Sequence, residues 1–341
     1  MTERSLFLKE KELENSTENI ERNILRYKEK ILPFYKSTGS THQFLGMNDI
    51  PISCRIFTNP NATAKILLCT GYNESYLKYA ELIMNLFEMG YSIFCFDHRG
   101  QGFSGRFKEQ AKRGFVDNFA NYVDDLSFYF ENIVNSQQVQ LPTFILAHSM
   151  GGAIATLAVC GKKINPLGVI LSSPMHGIAL SPYRFLEYPI YLLTKIFCKF
   201  GKEKEYVFGQ TDCIPFRPFE GNDVTNSKFR YDVWRNHIAE IEDMQLGGPT
   251  FGWMSEAIKA SRQARHMGYD NNIPFLLLQA ENDTVVVNST QDIFINKCAN
   301  SEKFILENAQ HEILMEVNFI REKALEQIRK FIYKKIESRK T

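Results

Sequence analysis

Between Lys65 and Leu171 the chain alternates short apolar runs with longer stretches of helical periodicity. Lys65 to Cys69, Tyr91 to Phe96, Phe144 to Ala147 and Leu167 to Leu171 read as strands buried on both faces, whereas Tyr76 to Glu88, Phe119 to Ile133 and Met150 to Cys160 read as helices. That rhythm predicts a parallel sheet covered on both sides. Upstream, Phe44-Leu45 and Ile52 to Phe57 read as a hairpin turning at Gly46 to Asp49, and Ile20, Ile24, Tyr27 and Ile31 form one helical stripe in a charge-rich extension ending near Pro33. The rhythm lapses between about 176 and 250 and resumes at the strand Pro274 to Gln279, followed by the strand Lys303 to Leu306 and the helix Asn318 to Ile336. In open α/β sheets ligands bind beyond the carboxyl ends of the strands, and the insertion leaves that edge just after Ser173, so a lid over a site is expected.

The junction at Thr143-Phe-Ile-Leu-Ala-His-Ser-Met-Gly-Gly152 carries the chemistry. Ser149 sits where a buried strand reverses into a helix, with small residues two before (Ala147) and two after (Gly151), the spacing of a nucleophile elbow. A serine hydroxyl is a poor nucleophile near neutral pH and needs a histidine base held by a carboxylate. Asp283 lies directly beyond the strand ending at Gln279, and His311 lies shortly beyond the one ending at Leu306. Strand direction therefore brings both to the sheet edge that carries Ser149. Glu281 stays open as an alternative acid. His148 and His98 read as structural hydrogen-bonding residues, and His42, His176, His237 and His266 lack a strand-end setting that fits the chain order. Two backbone donors are also needed for a tetrahedral oxyanion; the amides of Met150 and Tyr72 are the expected pair.

Composition narrows the classes. A net charge of +1 gives no electrostatic case for nucleic acid, and no binding motif for it is present. The seven cysteines are odd in number and lack metal-site spacing, and Gly100-Gln-Gly102 opens no helix, so neither a metal nor a dinucleotide is implied. No stretch reaches the roughly 18 apolar residues of a membrane span, and no signal peptide is apparent, so a cytoplasmic protein, peripheral at most to the inner membrane, is expected.

Ala147-His-Ser-Met-Gly-Gly152, Asp97-His-Arg-Gly-Gln-Gly102, Glu74-Ser-Tyr-Leu-Lys-Tyr-Ala-Glu81, Tyr122-Val-Asp-Asp-Leu126 and Gly247-Gly-Pro-Thr250 together resemble bacterial lysophospholipases of the monoglyceride-lipase-like serine hydrolases. The resemblance runs from about Phe44 to the C-terminus and implies the α/β-hydrolase fold, an acyl-enzyme mechanism and lysophospholipid or monoacylglycerol substrates, with acyl transfer as a second outcome. Ser149, Asp283 and His311 fall on the family's triad positions, and Tyr72 and Met150 on its oxyanion positions. Thr70 and Gln310 depart from the family pattern.

The expectation is thus an eight-stranded, mostly parallel α/β-hydrolase sheet (41–175 and 251–341), an amphipathic extension (1–40) and a helical lid (176–250), with no cofactor. The apolar lid segment is expected to supply substrate contacts through Phe185, Leu192 and Phe197, and part of it to rest on a membrane surface. Competing readings are a hydrolase of small soluble esters or peptides and a non-catalytic binding protein on the same scaffold.

Overall fold

The structure is a computed structural model that describes residues 3–107, 112–137, 139–180, 186–268 and 271–339. Helices α1 (Glu3–Glu14), α2 (Thr17–Arg26) and α3 (Leu32–Thr38) precede the hairpin of β1 (Ser40–Leu45) and β2 (Pro51–Phe57). Then come β3 (Ala64–Cys69), α4 (Ala80–Glu88), β4 (Tyr91–Phe96), α5 (Ala120–Tyr129), β5 (Thr143–His148), α6 (Met150–Cys160) and β6 (Gly168–Ser172). Helices α7 (Glu187–Lys199), α8 (Lys228–Glu240) and α9 (Phe251–Ala264) separate β6 from β7 (Phe275–Ala280). The described chain closes with α10 (Asn288–Ile295), β8 (Ser301–Leu306) and α11 (Asn318–Glu337).

The eight strands form one sheet in the order β1-β2-β4-β3-β5-β6-β7-β8. Pairing is antiparallel from β1 to β4 and parallel from β4 to β8. Successive side chains of a strand point to opposite faces, and β3 shows the consequence. Ile66 and Leu68 enter an apolar layer shared with Leu82 of α4 and Ile328 of α11, whereas Leu67 and Cys69 enter a second layer shared with Leu126 of α5 and Ala257 of α9. Burial on both faces is what makes these strands unbroken apolar runs in the sequence.

Two helical features differ from expectation. The helix does not break at Pro33: α2 runs without interruption through a π-helical turn, Tyr27–Ile31, into α3, so Pro33 lies inside a continuous helical run, directly after the wider turn. Helix α9 lies ahead of β7 and packs on α6, so the crossover to β7 is helical, a helix the sequence reading did not include.

The N-terminal stripe is covered by protein. Ile31 is fully buried, the Tyr27 ring meets Phe229 of α8, and its hydroxyl lies 2.8 Å from His237 Nε2. Arg230 of α8 is buried between Glu14 (3.0 Å) and Glu81 (2.8 Å), so α8 is tied at once to the extension and to α4.

Candidate active site

Ser149 occupies the corner between β5 and α6 with φ 51° and ψ −117°, a backbone conformation that non-glycine residues rarely adopt. The corner is held by the Ser149 amide, which donates to the Ser172 carbonyl (3.1 Å), and by the Met175 amide, which donates to the Ser149 carbonyl (2.8 Å). A Cβ on Gly151 would lie 2.4 Å from the Thr70 carbonyl oxygen and 2.5 Å from that of Cys69, both rigid backbone at the end of β3. Glycine is therefore required there. Two residues before the serine, Ala147 is fully buried and its methyl group is accommodated.

His311 Nε2 lies 2.9 Å from Ser149 Oγ, and His311 Nδ1 donates to Asp283 Oδ2 at 2.8 Å. The other carboxylate oxygen of Asp283 accepts the amides of Val285 and Val286, each at 2.9 Å, which fixes the carboxylate plane. All three side chains are buried. Burial alone would lower the His311 pKa, but the Asp283 carboxylate raises it above the ordinary 6.5. Burial would correspondingly raise Asp283, but His311 and the two amides hold it below 3.8. Glu281 is exposed and instead accepts the Asn308 amide at 2.7 Å, which leaves it outside this arrangement.

The loop after β3 turns its backbone toward the same corner. Among the described residues neither the Tyr72 amide nor the Met150 amide has a hydrogen-bond partner. The neighbouring amides are taken: Gly71 N–H donates to Glu74 Oε2 (2.5 Å), and Asn73 N–H donates to Gln101 Oε1 (3.1 Å). Gln101 Nε2 in turn donates to the carbonyls of Gly71 (2.7 Å) and Glu74 (2.8 Å). On the other side the Tyr72 ring packs against Trp253 at 4.2 Å and its hydroxyl donates to the Gly247 carbonyl (3.1 Å), while Asn73 Nδ2 donates to Leu246 (3.2 Å). The two quoted motifs around Gln101 and Gly247 thus clamp one loop from both sides. That role depends on contacts distant in sequence and was not read from it.

A buried charge cluster lies beneath this loop. Glu74 accepts from Lys78 Nζ (2.7 Å) and Tyr79 hydroxyl (2.8 Å), and Lys78 also meets Glu312 at 2.6 Å. Burial would raise the Glu74 carboxyl, but the Lys78 ammonium and His148 hold it below the usual carboxylate range. His148 bonds the Ser172 carbonyl through Nδ1 (3.1 Å), and His98 bonds the Thr70 carbonyl through Nε2 (3.0 Å). Burial pushes both histidines down to about 4, so both are neutral donors near pH 7. Asp97 is pushed up to about 7 by burial and accepts from the Ser75 hydroxyl and from the amides of Tyr76 and Phe103. The departures Thr70 and Gln310 each bury a side-chain oxygen with no partner among the described residues, and we have no physical account of either.

The expected substrate contacts fare differently. Phe185 lies outside the described residues. Leu192 is 43% exposed on the outer face of α7, and Phe197 stacks face to face on Phe251 at 4.3 Å. Neither lines the cavity beside Tyr72, because the inner face of α7 is used against α9. Among the described residues no cluster of His, Cys, Asp and Glu has a metal-binding arrangement, and no helix is long and apolar enough to cross a membrane.

Residues 60–318 match the Hydrolase_4 family, described as serine aminopeptidase, S33. The chain is 33% identical over 293 residues to lysophospholipase L2 of Escherichia coli K12, covering 84% of this chain and 85% of that one. It is 31% identical over 310 residues to a probable lysophospholipase L2 of Haemophilus influenzae, covering 89% and 95%. A soluble variant of Saccharomyces cerevisiae monoglyceride lipase, solved with a substrate analogue, superposes with a TM-score of 0.68 at 19% identity, over 87% of this chain and 94% of that one.

Proposed function

This chain belongs to the Hydrolase_4 family of serine hydrolases, and on that premise we propose that it hydrolyses the acyl ester of lysophospholipids or monoacylglycerols through an acyl-enzyme on Ser149. The observation that carries the reading is the continuous chain from Ser149 Oγ through His311 to Asp283, at 2.9 and 2.8 Å. In this reading Ser149 attacks the ester carbonyl as His311 Nε2 takes its proton, and His311 returns a proton to the leaving alcohol. Asp283 holds the imidazole with Nδ1 protonated and stabilises the imidazolium that forms. The free amides of Tyr72 and Met150 receive the developing oxyanion, a contribution of about 3 kcal/mol per donor in such sites. Water then repeats the sequence on the acyl-enzyme.

The lipid substrate class rests on the relatives and on the surface of α7. Tyr188, Leu192 and Ile196 of that helix and Phe200 just after it recur every fourth residue and are all exposed, with Lys195 and Lys199 beside them. A solvated stripe of this kind supports peripheral contact with an anionic bilayer surface, from which a single-chain lipid passes to the site. Fatty-acid release from palmitoyl-lysophosphatidylethanolamine and monopalmitoylglycerol, set against a short-chain soluble ester and an aminoacyl peptide, tests the class. Higher kcat/KM on the lipids is expected; preference for the short ester or the peptide overturns it.

A further inference from the structure

Beside the Tyr72 loop lies a cavity of about 470 Å³, and a second of about 320 Å³ adjoins it. Tyr72, Asn73, Arg217 and Arg235 line both, so the two arginines stand on the wall that the cavities share. Helix α8 presents Tyr231, Trp234, Arg235 and Ile238 to the larger cavity, the i, i+3, i+4, i+7 pattern of one helical face. Glu312, the residue after His311, also lines the cavity.

Four basic and four acidic side chains line the larger cavity, but they are not paired one to one. Glu74 and Glu312 share Lys78, and Arg230 is taken by Glu14 and Glu81. Glu220 and Asp223 reach the rim, where Asp223 accepts the Thr284 hydroxyl at 3.1 Å. Arg217 and Arg235 form no ion pair with any described carboxylate. The Arg235 Nη2 group donates to the Ile214 carbonyl, while its Nε–H is buried with no acceptor among the described residues. Burial lowers the Arg235 guanidinium from its ordinary value, and the neighbouring Arg217 lowers it further. Two adjacent guanidiniums with spare donors and no ion-pair partner among the described residues are able to take an anion. Planar N–H forks match phosphate oxygens well.

Position decides which anion. In the proposed mechanism the leaving alcohol must lie against His311 Nε2 to receive its proton, and Glu312, the next residue in the chain, lines the cavity. For a lysophospholipid the leaving alcohol is a glycerol bearing a phosphodiester on its far carbon. For a monoacylglycerol it is glycerol alone.

We infer that Arg217 and Arg235 bind the phosphodiester of the substrate head group and so set a preference for lysophospholipid over monoacylglycerol. This rests on the hydrolase reading above and assigns it a specificity site. The arginines line the cavities beside Tyr72 and take no part in the Ser149–His311–Asp283 chain, so they act on substrate selection. The extension has a part in this, since its contacts from Tyr27 and Glu14 fix the face that α8 turns to the cavity.

The test is the ratio of kcat/KM on palmitoyl-lysophosphatidylethanolamine to that on monopalmitoylglycerol, measured on one preparation of each variant in the full chain. Arg217→Gln and Arg235→Gln are each expected to lower the ratio about tenfold to a hundredfold, the value of a charge-assisted hydrogen bond, and Arg→Lys at either position is expected to recover part of it. Arg217 is exposed and forms no hydrogen bond or ion pair among the described residues, so its variant reports even if Arg235→Gln misfolds. Glycerol 3-phosphate, inhibiting wild-type turnover of a short-chain ester, is expected to lose potency in the same variants. If inorganic phosphate inhibits as well as glycerol 3-phosphate while the lipid ratio holds, the site takes free phosphate and the head-group assignment is wrong. An unchanged ratio with wild-type cleavage of lysophospholipid overturns the inference alone. Absence of lysophospholipid cleavage by the wild type overturns the function proposed above, and this inference with it.

Discussion

The Glu74 carboxylate accepts the Gly71 amide at 2.5 Å, and that single contact joins the loop beside Ser149 to a buried charge cluster. Because Gly71 and Asn73 spend their amides on Glu74 and Gln101, the Tyr72 amide between them is left without a partner among the described residues, as the proposed oxyanion role requires. On the proposed mechanism Glu74 is a positioning residue. Glu74→Ala is expected to lower kcat more than it changes KM. It should also cost about 3 kcal/mol in urea unfolding, the lower end for breaking a buried pair, since Glu312 still faces Lys78. Gln at the same position keeps an acceptor for Gly71 and should recover part of kcat. A shift confined to KM would contradict this role.

Gly151 supplies a second prediction. Its absent Cβ leaves room for the carbonyls of Cys69 and Thr70, which would otherwise lie within 2.5 Å. Gly151→Ala must push α6 away from β3, with an expected loss of about 1–3 kcal/mol and a displaced Ser149. Thermal unfolding together with titration by a fluorophosphonate measures both effects. Wild-type values for both would refute the close approach.

The pH profile follows from the sign of the His311 shift. Protonated His311 cannot accept the Ser149 proton, and Asp283 raises its pKa above 6.5, so kcat/KM on a soluble ester should fall with falling pH through a midpoint above 6.5. Asp283→Asn removes the carboxylate that opposes burial. The midpoint is then expected to move to lower pH, with a rate loss of about ten thousandfold. A midpoint that stays in place in the variant would show that Asp283 does not set it.

Flotation with anionic vesicles probes the outer face of α7. Leu192→Asp and Ile196→Asp place charge on the exposed stripe and should reduce vesicle binding at least about tenfold, with little change in thermal stability because neither side chain is buried. Equal flotation of both variants and wild type removes the docking role.

Legibility in the sequence followed the distance over which each feature is determined. The strands are legible because burial on both faces forces unbroken apolar runs such as Ile66 to Leu68. The placement of Ser149, Asp283 and His311 at one sheet edge is legible because strand direction alone fixes it. Glu74 and Gln101 are not legible as loop clamps, since Gln101 reaches back to Gly71 across the sheet edge. The apolar stripe of α7 is visible in the sequence, but periodicity does not say which neighbour covers which side. Leu192 accordingly proved exposed and Phe197 proved stacked on Phe251. Helix α9 was not read from the sequence, although its buried residues Phe251 and Ile258 recur at helical spacing.

The central claim is that acyl transfer passes through the Ser149 hydroxyl. It is tested most directly by fatty-acid release from palmitoyl-lysophosphatidylethanolamine by wild type and Ser149→Ala, with thermal unfolding of both as the control for folding. The account predicts a loss of at least about a thousandfold with an unchanged unfolding transition. Release by folded Ser149→Ala at a rate near that of the wild type would contradict it.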